Sequence, residues 1–322
     1  MTNVVNKDGS NLLSLFNGIS GLHLSFERAG IPVSKCYYSE IDKYANIVTE
    51  KHYPKDIALG DVTKWKEWDI DWESIDVVGA GFPCQSWSVA GKQLGDKDER
   101  GMLFWVTLDI ISHVLKHNPN AKFIIENVKM KKEFEDYITY HTENALGYVE
   151  KTLINSSLLS AQSRKRFYWT NFKVEQPQDK GLLLKDILET NVEQQYFYSE
   201  KAISYLDRTK INKRFSMFKD NDKSVCITAN FHKSLPYNVY VDREKSNCIL
   251  ANYANMACVN YNKSQGQIVF HNDSIRRLTP IECERLQTLP DNWTDCISNT
   301  QRYKSIGNGW TIDVIAHILK QM

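Results

Sequence analysis

The sequence predicts an α/β protein with a doubly wound sheet and a smaller, mostly β region in its second half. Three observations support this fold class. Short apolar runs alternate with amphipathic stretches in the first half, and a glycine-bearing turn follows the first run. After about residue 172 the helical periodicity fades, and Tyr, Asn and Lys become frequent. Strands that alternate with helices favour a parallel sheet covered by helices.

The predicted elements follow in order along the first half. Strands are predicted at residues 11–16, 36–39, 57–59, 75–79 and 122–126. Leu22, Phe26 and Ala29 recur at helical spacing, and Gly30 ends that helix. A second helix is predicted around 104–115. The apolar stretch 311–319 also has helical spacing, and we expect it to return to the first domain.

The second half contains a short internal repeat. Residues 223–231 recur, shifted by 22 positions, as residues 245–253. Each copy carries Lys-Ser, a Cys-Ile pair, and Ala-Asn before an aromatic residue. One repeat pair is too little for a solenoid, so the pattern predicts two similar strand–turn units.

Composition excludes some classes of protein and leaves others open. The 322 residues contain 40 Lys+Arg and 39 Asp+Glu, so overall charge argues neither for nor against nucleic acid. No apolar run reaches the roughly 18 residues of a membrane span, and the polar N-terminus lacks a signal-peptide core. We therefore expect an intracellular protein that does not bind membranes. Seven cysteines occur without CxxC or HExxH spacing, so free thiols and no metal are expected.

The turn from Phe16 to Gly21 follows the first strand and precedes a helix. Such a turn lets backbone N–H groups approach a ligand closely. Glu40 lies 22 residues after Gly18, at the end of the second strand, where a carboxylate suits ribose hydroxyls. These features alone leave open a nucleotide site, a nicotinamide dehydrogenase or an ordinary turn beside a solvated Glu.

Polar and reactive side chains follow the next two strands. Cys84 comes just after the strand at 75–79, and Glu126 ends the strand at 122–126. Arg164 and Arg166 follow later. Open α/β sheets bind ligands at the carboxyl ends of their strands. A lone cysteine there is more often inert, so the prediction of a reactive site rests on the combination.

Taken in chain order, these segments resemble the motifs of DNA (cytosine-5)-methyltransferases over nearly the whole chain. Each string is short, but the ordered set is specific. Two positions depart from the family pattern: Ser20 stands where glycine is common, and Trp310 follows Gly309. The matching segments are 16–21, 40–42, 60–62, 81–85, 100–104, 126–128, 162–166, 276–287 and 306–309.

The resemblance implies a Rossmann-like, S-adenosylmethionine-dependent catalytic domain at 1–175 and 300–322. It implies a smaller target-recognition domain, with a hinge, at 176–299. The cofactor is S-adenosyl-L-methionine, the product S-adenosyl-L-homocysteine, and no metal is expected. The implied cofactor-binding residues are Phe16, Gly18, Ser20, Gly21, Glu40, Ile41, Asp61, Val62, Pro83 and Asn308.

The resemblance also implies covalent catalysis on a cytosine flipped out of the duplex. The Cys84 thiolate attacks carbon 6, and Glu126 shares a proton with ring N3. Arg164 and Arg166 are the candidates to assist the thiolate; Arg164 also holds the cytosine O2, while Arg166 orients the site, with a phosphate contact or a structural ion pair as the alternative for Arg166. The implied substrate-binding residues are Gln85, Asn127, Gln162, Asn230 and Asn252.

Asn230 and Asn252 are the equivalent asparagines of the two repeat copies. We hypothesise that both face the major groove, where Asn suits adenine; the alternative places them in ordinary turns. The expected substrate is duplex DNA with a short specific sequence, and the expected protein is a cytoplasmic monomer of a bacterium or phage. The sequence leaves open whether a cognate restriction endonuclease is a partner, in function only. A tRNA methyltransferase and a catalytically silent DNA-binding relative are the alternatives.

Overall fold

The computed structural model describes residues 9–83, 101–197 and 276–322, together with the backbone of short strands between 226 and 276. The chain forms two compact units. The first comprises Met1–Ile154, Lys165–Pro177 and Ile312–Met322, and the second comprises Asn155–Arg164 and Gln178–Thr311. These units differ from the expected domain bounds chiefly in residues 155–164 and 300–311, which belong to the second unit.

Eight strands are described before residue 171. They are β1 Ser10–Leu15, β2 Val33–Ser39, β3 Ile57–Gly60, β4 Val77–Ala80, β5 Lys122–Val128, β6 Glu150–Asn155, β7 Gln162–Ser163 and β8 Lys165–Thr170. All but β7 form one seven-stranded sheet in the order β3–β2–β1–β4–β5–β8–β6. This sheet confirms the predicted α/β class and each of the five predicted strands.

The sheet is mixed rather than purely parallel. Strands β1 to β5 pair in parallel, whereas β8 runs antiparallel to β5. Parallel neighbours require a long crossover, usually a helix, and antiparallel neighbours do not. Between β6 and β8 the chain has only a 3-10 turn at Ser156–Leu158 and the short β7, so this reversal departs from the expected parallel sheet.

The described α-helices are α1 Gly21–Ala29, α2 Lys43–His52, α3 Leu103–His117, α4 Lys132–Leu146, α5 Pro280–Leu286, α6 Asn299–Asn308 and α7 Ile312–Leu319. As predicted, the last helix returns to the first unit. The Ser25 hydroxyl on α1 donates to the Ile312 carbonyl at 3.4 Å, and Arg28 forms an ion pair with Asp313. None of the helices described is both long and apolar enough to cross a bilayer.

The core of the first unit lies around the central strands. Strand β1 buries Leu12, Leu13 and Leu15, and the neighbouring strands β4 and β5 bury nearly every side chain. Strands covered on both faces become continuous apolar runs, as the sequence of β5 shows. Helix α3 packs with this core through the predicted face that includes Phe104 and Leu108.

The described part of the second unit contains short strands and two α-helices, α5 and α6. Strands β9 Cys226–Thr228 and β10 Ser246–Leu250 join β7 in a parallel sheet, and β11 Val269–His271 pairs antiparallel with β12 Ser274–Arg276. Strand β9 lies within the first repeat copy, and β10 lies within the second. They pair with Thr228 opposite Leu250, its repeat equivalent, so a strand in each copy is confirmed.

Candidate active site

The loop between β1 and α1 has an unusual backbone. Phe16, Gly18 and Ser20 all adopt positive φ, at 55°, 56° and 65°. Glycine accepts this conformation readily, whereas L side chains resist it. The Gly18 N–H donates to Glu40 Oε2 at 2.8 Å, so the loop is fastened to the end of β2.

The structure shows how Ser20 is accommodated in place of glycine. Its side chain is fully buried, and its hydroxyl donates to Thr49 Oγ1 on α2 at 2.8 Å. Asn17 Nδ2 donates to the same oxygen at 3.0 Å, and Thr49 in turn donates to the Ala45 carbonyl at 3.3 Å. Hydrogen bonds therefore hold the loop in a conformation that serine does not favour. Asn17 and Thr49, which support the loop, were not singled out from the sequence. The available sequence signal for this support was Ser20, which stands where the family commonly has glycine.

Glu40 is held rigidly at the carboxyl end of β2. Its Oε1 accepts from the N–H groups of Ile41 and Asp42, both at 2.8 Å, while Oε2 accepts from Gly18. Ile41, directly after Glu40, is 78% exposed. This sheet edge therefore presents a fixed carboxylate next to an apolar surface.

The end of β3 adds a second carboxylate to the same edge. Asp61 caps the 3-10 helix Val62–Glu67, because its carboxylate accepts from the Thr63 N–H and hydroxyl, both at 2.9 Å. Val62 is buried beneath it. Strands β1, β2 and β3 are parallel neighbours, so Gly18, Glu40 and Asp61 lie at the same edge of the sheet.

Asn127 fixes the segment that leads to Cys84. It is buried at the end of β5, its Nδ2 donates to the Phe82 carbonyl at 3.2 Å, and its Oδ1 accepts from the Val128 N–H at 2.8 Å. Its amide is thus engaged by the protein, and we assign it a positioning role instead of the expected substrate contact. Pro83 is partly buried, and Cys84 lies outside the described residues, as does Gln85.

Glu126 and Arg166 form an ion pair across β5 and β8. Arg166 Nε lies 2.8 Å from Glu126 Oε1, and their side chains are only 11% and 8% exposed for Glu126 and Arg166 respectively. The antiparallel register, which sets Val128 opposite Arg166, brings the two side chains together. Arg166 also donates through Nη1 to the Lys165 carbonyl at 2.9 Å. The pair gives the carboxyl end of β5 a carboxylate of fixed direction.

Arg164 has a different environment, in the second unit. Its Nη1 and Nη2 donate to the carbonyls of Gly307 and Gly309 at 3.3 and 3.0 Å. These carbonyls flank Asn308 at the end of α6, where a cation is favoured by the helix dipole. Arg164 is buried there and supports the exposed Asn308 turn, and its expected contact with a thiolate and the cytosine O2 stays a prediction, since Cys84 lies outside the described residues.

Gln162 is also buried in the second unit. Its Nε2 donates to the Leu286 carbonyl at 2.9 Å and to Gln287 Oε1 at 3.1 Å. Gln287 continues the network, because its Nε2 donates to the carbonyls of Ile306 and Gly309 at 2.9 and 3.1 Å. Gln162 therefore joins two motif segments, and its expected substrate contact stays a prediction.

Comparison with known proteins identifies the family. The family model described as C-5 cytosine-specific DNA methylase matches residues 10–322. The chain belongs to this family.

Individual relatives agree with this assignment. The chain is similar to the Type II methyltransferase M.NlaX of Neisseria lactamica, with 30% identity over 97% of this chain and 95% of the relative. It is also similar to the Type II methyltransferase M.HhaI of Haemophilus parahaemolyticus, with 28% identity over 96% of this chain and 93% of the relative. Among solved structures, the Entamoeba histolytica methyltransferase EhMeth has a TM-score of 0.67 and 20% identity and covers 98% of both chains, a likeness of fold.

In this cytosine-specific methylase, the matching segment 276–287 is built around buried charges. Arg276 donates through Nη1 and Nη2 to both oxygens of Glu282, at 2.8 and 2.7 Å, and both side chains are 0% exposed. Arg302 Nη2 donates to Glu284 Oε1 at 3.0 Å. Such pairs are a weak source of net stability but fix a geometry firmly, since breaking one strands a buried charge.

The predicted site residues thus fall into three groups. The methylase brings together Glu126 with Arg166, and Gly18 with Glu40, inside the first unit. Gln162, Arg164 and Asn308 belong to the second unit. The remaining group lies outside the described residues and comprises Cys84, Gln85, Asn230 and Asn252.

Proposed function

We propose that the protein transfers a methyl group from S-adenosyl-L-methionine to carbon 5 of cytosine in duplex DNA, at a short specific sequence. The observation that carries the proposal is the buried Glu126–Arg166 pair at the carboxyl end of β5. Burial of an ion pair is costly and contributes little to net stability, whereas this edge of an open sheet is where ligands bind. Membership of the family supplies the reaction class.

The first unit has side chains that fit the methyl donor. Glu40 keeps carboxylate lone pairs beyond its three backbone donors, and these suit ribose hydroxyls. The exposed Ile41 offers an apolar face for adenine, and Asp61 with Val62 closes the neighbouring edge. When bound, S-adenosyl-L-methionine supplies the methyl group and becomes S-adenosyl-L-homocysteine. The proposed chemistry uses no metal ion.

Phe16, Gly18, Ser20 and Gly21 shape the loop beside this edge, and we propose that they contact the same cofactor. This proposal is supported by the left-handed backbone of the loop, which the hydrogen bond from Ser20 to Thr49 holds in place without a ligand. Pro83, which lies three residues after β4, is proposed to line the cofactor pocket. We retain Asn308 as a proposed contact, because Arg164 supports its exposed turn.

Cys84 is the proposed nucleophile. Its thiolate forms a bond from sulfur to carbon 6 of cytosine, and the ring electrons move so that carbon 5 becomes nucleophilic. Carbon 5 then takes the methyl group, a base removes its proton, and the electrons of that C–H bond expel the Cys84 sulfur. Asn127 supports this step from a distance, because it fixes the Phe82 carbonyl two residues before Cys84.

Glu126 is proposed to meet the negative charge that builds on the ring when sulfur adds. Arg166 Nε holds Oε1, which leaves Oε2 to share a proton with ring N3. The geometry thus favours Arg166, and not Arg164, as the arginine of the reaction centre. Arg164 is proposed instead to position the turn that carries Asn308.

The target atom is inaccessible inside a duplex, so the proposal includes flipping of the cytosine. We propose that residues 1–175 and 300–322 serve catalysis and residues 176–299 serve recognition, with Asn230 and Asn252 as base contacts. Gln85 is proposed to contact the flipped base. We further propose a cytoplasmic monomer of a bacterium or phage that acts on cellular or phage DNA, with a restriction endonuclease as functional partner.

The test is methyl transfer from tritiated cofactor to random-sequence duplex DNA and, separately, to tRNA, with bisulfite mapping of the product. We expect label in cytosine within one short DNA motif. Cys84→Ser is expected to abolish transfer while DNA is still bound. Label in tRNA alone, or DNA binding without transfer by the wild type, would contradict the proposal and favour one of the two alternatives.

The carboxylate is tested with a matched control. Glu126→Gln is expected to lower kcat by about 10²–10⁴-fold, the usual range for loss of a positioned acid or base. Glu133→Gln removes an exposed carboxylate on α4 and should leave kcat unchanged. Arg166→Lys is expected to lower kcat more than Arg164→Lys does; the reverse order would restore the role first expected of Arg164.

A further inference from the structure

Three side chains of different ligand types meet in the first unit, away from the proposed reaction centre. They are His23 on α1, Cys36 on β2 and Asp56 just before β3. One ligand atom from each, a ring nitrogen, a sulfur and a carboxylate oxygen, lies within 4.8 Å of the other two. His23 Nδ1 is 2.8 Å from Asp56 Oδ2, and the Cys36 thiol hydrogen-bonds to the Tyr37 carbonyl at 3.9 Å.

The cluster is rigid and largely shielded. Cys36 is 2% exposed, and the side chains of His23 and Asp56 are 13% and 6% exposed. The His23 ring stacks on Tyr53 at 3.8 Å between centroids, and the Tyr53 hydroxyl donates to Glu27. Stacking restrains the imidazole, so the three ligand atoms are held near one another without an ion.

We propose that His23, Cys36 and Asp56 bind a zinc ion, with the fourth position open to water. Nitrogen, thiolate and carboxylate ligands are all used by zinc. At metal–ligand distances of about 2.0–2.3 Å, the ligand atoms of a tetrahedral zinc lie roughly 3.3–3.8 Å apart, so small side-chain movements suffice. Cys36 gives up its thiol proton to solvent on binding, and His23 binds as the neutral imidazole.

Burial and the nearby Asp56 raise the pKa of the Cys36 thiol well above its usual value in the absence of metal. The ligands are scattered over positions 23 to 56 without motif spacing. For this reason the sequence alone predicted no metal.

The position of the zinc site in the sequence suggests how zinc would affect cofactor binding. His23 lies two residues beyond Gly21, Cys36 four residues before Glu40, and Asp56 five residues before Asp61. Each ligand thus stands on an element whose end carries a proposed cofactor residue. A zinc ion at the site would tie α1, β2 and β3 together and strengthen cofactor binding. This consequence rests on the proposed function, whereas the metal site does not.

The site is tested on the full-length protein after treatment with a chelator. Zinc stoichiometry is measured by mass spectrometry, and Co²⁺ is titrated while thiolate-to-cobalt charge-transfer absorption is recorded. We expect one ion per chain and a charge-transfer band. Cys36→Ser should remove the band, whereas Cys296→Ser, a change at an exposed cysteine, should retain it. No ion at micromolar metal, or a band that survives Cys36→Ser, would overturn the site.

A second variant covers the case in which Cys36→Ser does not fold. His23→Ala should weaken Co²⁺ binding by at least about tenfold, and unchanged binding would overturn the proposal. The consequence is tested by calorimetry with S-adenosyl-L-homocysteine, with and without zinc. Tighter binding with zinc supports the coupling, and equal binding refutes it. Failure to bind S-adenosyl-L-homocysteine in either state would refute the proposed function and leave the metal result standing.

Discussion

The Ser20 position offers a sharp test of how the cofactor loop is stabilised. Ser20 adopts φ 65° and ψ 36°, is fully buried, and donates to Thr49 Oγ1 at 2.8 Å. Two opposed terms therefore act on one residue, the cost of a left-handed backbone and the gain of a buried hydrogen bond. Ser20→Ala removes only the hydrogen bond. Ser20→Gly removes the hydrogen bond and the backbone cost together.

The magnitudes follow from these terms. Loss of the buried hydrogen bond costs about 1 kcal/mol, and the partial stranding of Asn17 raises this toward 2 kcal/mol. Ser20→Ala should therefore lower the free energy of unfolding by about 1–2 kcal/mol. A left-handed conformation costs an L residue roughly 1–2 kcal/mol, of which the greater chain entropy of glycine cancels about 0.5–1 kcal/mol. Ser20→Gly should thus be about 1 kcal/mol more stable than Ser20→Ala.

The assay is urea unfolding followed by tryptophan fluorescence, with a common slope for the variants. Thr49→Val serves as the companion variant, because it keeps the shape of the side chain and deprives two buried donors of their acceptor. It should cost about 2–4 kcal/mol. If Ser20→Gly proves as unstable as Ser20→Ala, backbone strain is not stored at this position and the reasoning fails.

Three further predictions concern stability elsewhere in the chain. Glu282→Gln strands the Arg276 guanidinium and should cost about 3–5 kcal/mol in urea unfolding; a loss under 1 kcal/mol would mean that water reaches the pair. Asp42→Ala removes the N-cap of α2 and should cost about 1 kcal/mol by the same assay, whereas Asp42→Asn should retain most of it. Burial first, and neighbouring positive charges second, lower the pKa of His113 from 6.5. The unfolded chain then binds the proton first as pH falls, so the free energy of unfolding should decrease from pH 7 toward pH 5, and His113→Gln should flatten that decrease in thermal melts.

The fold was predictable wherever the local pattern and the tertiary environment agree. The predicted strands match β1 to β5, and the pattern is clearest in β1 and β4, where burial on both faces produces a short apolar run. The reversal at β8 was not predictable in this way. Strand direction depends on the connection, and the link between β6 and β8 lacks the helix that a parallel crossover needs.

The site was predictable in its chemistry but not in its contacts. Motif order predicts functional roles for the glycine-bearing loop, Glu40 and Glu126, and the structure holds both carboxylates in fixed directions. The supporting roles of Asn17 and Thr49 were not predicted, because a buried polar pair that supports a loop has no characteristic spacing in the sequence. Only the departure at Ser20 marked the place where such support was needed.

The segment 162–166 shows why spacing alone misassigns roles. Arg164 and Arg166 are two residues apart, and along a regular strand such residues share a face and an environment. Strand β8, however, begins only at Lys165, so the strand rule does not extend to Arg164. Arg164 ends the second unit and donates to the carbonyls around Asn308, whereas Arg166 enters the sheet and meets Glu126. A single five-residue motif thus supplies both units, and the change of unit occurs at one peptide bond inside it. The proposed division of roles between the two arginines therefore follows from where β8 starts, and kcat measured for the two lysine variants decides it.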